Sequence, residues 1–152
     1  MNSLLLRLTM TAAMLVPATA LAQTAPSMQR LEGIWIFRAL FEGAPQPAYV
    51  GTAVFGADGK FSGPPNDQTG GPALGEWIRT GEREFAFTYV ANSYDKSGAF
   101  SGTYQVRGMM KLSDDSLSAT GKTKFSILDP AGKAVFASTT TFTATRVVVE
   151  PF

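Results

Sequence analysis

From Leu31 onward, apolar and polar residues alternate in short runs separated by turn residues. In EFAFTYVA, Phe85, Phe87 and Tyr89 share one face, and Ala86, Thr88 and Val90 share the other. FSGTYQVRGMMKL sets Phe100, Gly102, Tyr104, Val106, Gly108, Met110 and Leu112 against Ser101, Thr103, Gln105, Arg107 and Lys111. LSATGKTKFSI repeats the pattern, with Leu117, Ala119, Gly121, Thr123, Phe125 and Ile127 opposite Ser118, Thr120, Lys122 and Lys124. A period of two is that of a strand with one buried and one wet face. No window of a dozen residues carries a helical stripe. Strands are therefore predicted at about 32–41, 49–56, 60–62, 74–80, 84–91, 99–113, 116–128 and 134–148.

The separators GADG (56–59), TGER (80–83), SDDS (113–116) and DPAGK (129–133) are tight-turn sequences, so neighbouring strands run antiparallel. The expected fold is all-β: a single antiparallel up-and-down barrel of about eight strands, in which closure removes exposed edges. A two-sheet sandwich accommodates the same strands and is the alternative. Gly102, Gly108 and Gly121 place no side chain on the inward face. They permit sharp coiling or a bulge, leave room for a ligand, or do both.

Residues 1–22 read as a secretory signal peptide. Arg7 is followed by the apolar run LTMTAAMLVPATA, and ALA at 20–22 supplies a small-x-small cleavage pattern. The run is short for a bilayer span and contains Pro17. Cleavage near Ala22 is expected to leave an exported, periplasmic or secreted chain with no stable membrane insertion. A polar lead-in at 23–30 then precedes a barrel domain at 31–152.

Loss of Arg7 from 13 Lys and Arg balances the mature chain against its 12 Asp and Glu. A neutral surface without a basic run offers no electrostatic reason to bind nucleic acid or an anionic membrane. The sequence contains 0 Cys and 0 His. It therefore has no disulfide framework, no thiolate nucleophile, and neither the usual general base near neutral pH nor the commonest zinc ligand. No metal or other cofactor is expected.

A glycine and a tryptophan two residues apart at the start of the first strand, Gly33 and Trp35, with Arg146 late on the last, resemble the lipocalin and wider calycin pattern. The resemblance extends to small exported bacterial lipocalin-like proteins of mostly uncharacterised function, through GIW, FGADGKF, GPALGEWIRTGEREFAF, GTYQVRGMMKLSDDSLSATGKTKFSILDPAGK and FTATR. It implies that the first and last strands adjoin, with the arginine over the indole sealing one end by a cation–π contact. Trp35 and Arg146 are thus expected to be structural, and Trp77 to be core. Two further lipocalin signature regions and a helix after the barrel are not recognisable, so the resemblance bears on fold more than on ligand.

Two features bear on a site. The interruption SGPPNDQTGGPA (62–73) is long for a hairpin turn and reads either as a lid over a barrel mouth or as a solvated connection. The inward aromatics Phe37, Phe55, Phe85, Phe87, Tyr89, Tyr104, Phe125 and Phe142 are either packed core or the walls of an apolar cavity. The ligand-binding set expected on the second reading is Phe85, Phe87, Tyr89, Tyr104 and Phe125, the two phenols acting as polar anchors. Arg38 and Arg107 fall on outward faces. Glu76 is the best single carboxylate, but alternation turns either Glu76 or Trp77 inward, not both. Glu82 and Glu84 bracket a turn, and Asp114 and Asp115 are hairpin-turn residues; no catalytic residue is assigned.

Three functions fit these residues. One is an exported carrier of a small hydrophobic or amphiphilic molecule. Another is an envelope or extracellular interaction module with a packed core and a protein partner. The third is a cofactor-free isomerase or cyclase similar to the allene oxide cyclase-like barrels, working by shape, a carboxylate and a tyrosine. Interior volume separates the packed module from the other two.

Overall fold

The computed structural model describes residues 30–41, 49–64 and 70–151. The expected signal peptide at 1–22 and most of the lead-in lie outside the described residues, as do positions 65–69 of the long interruption. Eight strands follow one another: β1 (Gly33–Phe41), β2 (Tyr49–Phe55), β3 (Lys60–Gly63), β4 (Ala73–Arg79), β5 (Glu84–Tyr94), β6 (Phe100–Leu112), β7 (Ser118–Leu128) and β8 (Ala134–Arg146). They form a closed antiparallel barrel in which each strand pairs with its sequence neighbours and β1 pairs with β8. The sandwich alternative is thereby excluded.

Local chemistry makes the hairpins. Between β5 and β6, the Asp95 carboxylate accepts the backbone N–H groups of Ser97 (2.8 Å) and Ala99 (3.0 Å), and Gly98 takes φ 83°. Between β7 and β8, Asp129 accepts the N–H groups of Ala131 (3.0 Å) and Lys133 (2.9 Å), and Gly132 takes φ 81°. An aspartate that holds the backbone two and four residues on, with glycine in the left-handed position, shapes a short antiparallel connection. The β6–β7 turn uses Asp115, which accepts the Leu117 N–H (2.9 Å), while Ser116 occupies the left-handed region at φ 58°.

The predicted inward faces are the buried ones. Phe85, Phe87 and Ala91 on β5, and Val106, Met110 and Leu112 on β6, are buried with Trp35, Phe55 and Phe142 in one core. Arg38 and Arg107 face outward. Two assignments are overturned. Phe100 pairs with Tyr94 while Gly102 pairs with Ser93, so a bulge at Ser101 inserts one residue into β6. The alternation shifts phase there, Phe100 turns to the outside at 45 % exposure, and its ring packs on Tyr94 with centroids 6.2 Å apart. Gly102 adopts φ 151° at the bulge. Leu117 lies in the β6–β7 turn, ahead of β7, and is exposed.

Gly108 and Gly121 have a different role. Each faces an aromatic residue across the ladder, Gly108 opposite Phe87 and Gly121 opposite Phe142. A Cβ on either glycine would overlap its partner's ring. At Gly75, opposite Tyr89, an added Cβ would instead meet the Thr88 carbonyl and the Tyr89 Cα and Cβ. At Gly108 and Gly121 the space left by the missing side chain is taken by a ring of the protein, not reserved for a ligand.

Candidate functional site: an aromatic-lined cavity at one end of the barrel

One end of the barrel is sealed. Trp35 is fully buried and pairs directly with Arg146 across β1 and β8. The Arg146 guanidinium carbon lies 4.5 Å from the indole ring centroid, within cation–π range. The same guanidinium donates to the carbonyl of Ser116 (2.8 Å) and to those of Glu32 and Arg30. It thus ties the entering chain to the β6–β7 turn. The Trp35 indole N–H donates to Leu31 O (2.8 Å). Gly33, at φ 130°, lets Arg146 pass: a Cβ there would lie 3.0 Å from a guanidinium nitrogen. Burial lowers the Arg146 pKa, the nearby Glu32 charge opposing that shift.

Above this seal Phe55, Phe85, Met110 and Leu112 fill the interior. Trp77 joins them edge-on to Phe55 and Phe85, its indole N–H donating to Gly56 O (2.9 Å).

Toward the other end the packing opens into a cavity of about 210 Å³. Its inner wall is a set of rings in mutual contact. Phe37 lies 5.1 Å from Phe142, and Phe61 stacks on Phe87 (5.8 Å) and on Tyr89 (4.7 Å). Tyr49, Tyr104 and Val106 line its sides, and Phe41, Phe125, Gly63 and Pro64 its outer part. Tyr49 lies over Gly51, where a Cβ would overlap the phenol, and burial raises the Tyr49 pKa. The Thr123 and Thr140 hydroxyls meet at 2.6 Å, and Thr140 is buried. Both threonines line the cavity.

Of the five residues singled out from sequence for a ligand, Phe87, Tyr89, Tyr104 and Phe125 line this cavity, and Phe85 does not. Phe85 shares their face but sits deeper, against Trp77 and under the Arg79 guanidinium, which is 4.7 Å from its centroid. Tyr49, Phe61, Thr123 and Thr140 were not singled out. Alternation already placed Thr123 inward; its meeting with Thr140 depends on β7–β8 register. Of the long interruption, Gly63, Pro64 and Ala73 reach the cavity, while the remainder of the lid reading turns on residues outside those described.

Glu76 is on the outer surface, paired with Lys60 at 2.5 Å, and this ion pair lowers the Glu76 pKa. Glu84 faces Lys111 and Asp114 pairs with Arg83, also outside. No described residue lining the cavity is a carboxylate, so among the described residues the carboxylate-and-tyrosine arrangement of the isomerase reading is not assembled there. Among the described residues no cluster of acidic, His or Cys side chains has the makings of a metal site.

No protein-family model matches the chain, and no curated protein matches it significantly. What the geometry defines is a class by architecture: a closed eight-stranded up-and-down antiparallel barrel, consistent with a lipocalin-like fold, sealed at one end and hollow toward the other.

Proposed function

We propose that the protein is exported and binds a small apolar or amphiphilic molecule inside the barrel. The observation that carries this reading is the aromatic-lined cavity of about 210 Å³ above a fully packed and sealed half. A barrel evolved only as a rigid module gains nothing from unfilled space, since missing contacts cost stability. Burial of apolar ligand surface supplies roughly 25 cal/mol per Å² before ordering costs. The phenols of Tyr49, Tyr89 and Tyr104 offer polar atoms among the rings. Export is supported by the charged, apolar and small-residue order of residues 1–22.

Titration with an environment-sensitive fluorophore, followed by displacement with small aromatic and aliphatic compounds, tests the cavity. Ala39 lines it and is only partly buried, so Ala39→Leu fills space without displacing a ring. Binding that disappears in Ala39→Leu while the fold is retained is the expected result. Absence of binding by the wild type refutes the carrier reading. N-terminal sequencing of periplasmic or secreted protein is expected to begin near Gln23, and an intact Met1 in the membrane fraction refutes export.

One observation favours a second reading, the interaction module. The outer surface of β1, β2, β4 and β5 exposes Ile34, Val54, Leu74, Ile78 and Val90. Contiguous exposed apolar patches mark contact surfaces, and the register sets Ile34 beside Val54 and Leu74 beside Val90. Concentration-dependent sedimentation abolished by Ile78→Asp, together with no ligand binding, selects this reading over the first.

A further inference from the structure

We propose that the cavity admits only electrically neutral ligands of about one-ring size, oriented by the paired hydroxyls of Thr123 and Thr140. This rests on the reading of the cavity as a binding site and specifies what enters it.

All eight strands contribute to the lining, yet none of the described lining residues is Asp, Glu, Lys or Arg. The arginines that lie against core rings, Arg79 over Phe85 and Arg146 over Trp35, are away from the cavity in the packed half. An ion entering would shed its hydration and meet no counter-charge among the described lining residues, a cost that apolar contacts do not recover. Among the described residues the titratable groups facing the cavity are the phenols of Tyr49, Tyr89 and Tyr104, and a phenol is neutral in acid and at neutral pH. Burial raises the Tyr49 pKa, which extends its neutral range.

An apolar cavity of about 150 Å³ is enough to hold benzene, and sites for drug-sized ligands run to about 300–1,000 Å³. At about 210 Å³ the space fits one ring with a short substituent, or an aliphatic molecule of similar bulk.

Thr123 and Thr140 are direct cross-strand partners, with their oxygens 2.6 Å apart. One of their two hydroxyl protons serves the mutual bond. The pair retains the other proton and free lone pairs, so it can donate to a carbonyl or exchange hydrogen bonds with an alcohol. Its position on the inward face, between Phe142 on β8 and Phe125 on β7, sets it beside the apolar walls that would hold a ligand's ring.

Calorimetric titration of the full chain with toluene, benzyl alcohol, benzoate and benzylammonium varies charge and hydrogen bonding on one skeleton. Toluene and benzyl alcohol are expected to bind, and both ions to bind at least tenfold more weakly. Benzyl alcohol should exceed toluene several-fold, and Thr140→Val should erase that advantage while leaving toluene binding intact. Between neutral pH and the acid's own pKa, the apparent affinity for benzoic acid should rise about tenfold per unit fall in pH, because only the neutral fraction enters.

Ions that match the neutral compounds and displace the fluorophore from the cavity overturn the neutral-ligand proposal and leave the binding site standing. A pH-independent affinity for benzoate does the same. An alcohol advantage that survives Thr140→Val overturns the hydroxyl assignment. If neither toluene nor benzyl alcohol binds and Ala39→Leu changes nothing, the site itself fails and the proposal falls with it.

Discussion

Replacement of Gly108 by alanine tests the packing rule that shapes the barrel interior. Gly108 lies opposite Phe87 on the inward face, and an added Cβ would clash with the tip of the Phe87 ring, at Cζ. Its φ is not in the left-handed region, so the cost comes from packing and not from backbone strain. Overfilling a packed core costs about 1–3 kcal/mol. Alanine also restricts the unfolded chain, which returns about 0.4–1 kcal/mol. The net loss should be about 0.5–2 kcal/mol, or about 4 °C in Tm per kcal/mol for a domain of this size. Urea unfolding monitored by tryptophan fluorescence should show a lower midpoint at unchanged slope. Because Phe87 also forms cavity wall, the displaced ring should weaken fluorophore binding. In a Phe87→Leu background the clash is relieved, so the same substitution should cost about 1 kcal/mol less. Equal losses in the two backgrounds, or a Gly108→Ala protein as stable as wild type, would refute the glycine–ring pairing.

Two other perturbations test the sealed end and the turns. Trp35→Ala removes a fully buried ring and its hydrogen bond to Leu31, and should cost about 3–5 kcal/mol by chemical denaturation. Arg146→Met keeps much of the stem but loses the guanidinium's cation–π contact and carbonyl hydrogen bonds, and should cost less, about 1–2 kcal/mol. A larger loss from Arg146→Met than from Trp35→Ala would contradict this account of the seal. Asp95 and Asp115 have lowered pKa values, caused first by the hydroxyls of Ser97 and Ser113 and then by backbone N–H groups. Their contribution is complete above the ordinary aspartate range and is lost as pH falls through the depressed folded-state values, because the unfolded chain takes up protons first. Thermal unfolding should therefore show stability falling on the acid side, with a shallower fall in the Asp95→Asn, Asp115→Asn double variant. An unchanged acid slope in that variant refutes the assignment.

Much of the barrel is legible along the chain because its information is local. A period of two identifies the strands and the inward faces of β5, β6 and β7, and aspartate–glycine turns such as DPAGK force antiparallel neighbours. The meeting of Trp35 with Arg146 is implied by the lipocalin resemblance, and the β1–β8 register sets the two side by side. Alternation fails where the count itself changes: the bulge at Ser101 turns Phe100 outward, and the β6–β7 turn claims Leu117. Depth along the barrel is another quantity that a single strand does not carry. Phe85 and Phe87 share a face two residues apart, yet one seals against Trp77 and the other borders the cavity. That division depends on the stagger of all eight strands and on which rings occupy the spaces over Gly108 and Gly121. The Thr123–Thr140 pair likewise needs the β7–β8 register, and the cavity is what remains after every inward side chain has been packed. Strand and face follow from neighbours in sequence, whereas empty volume is a property of the closed barrel, because it is set by contacts between residues far apart in the chain.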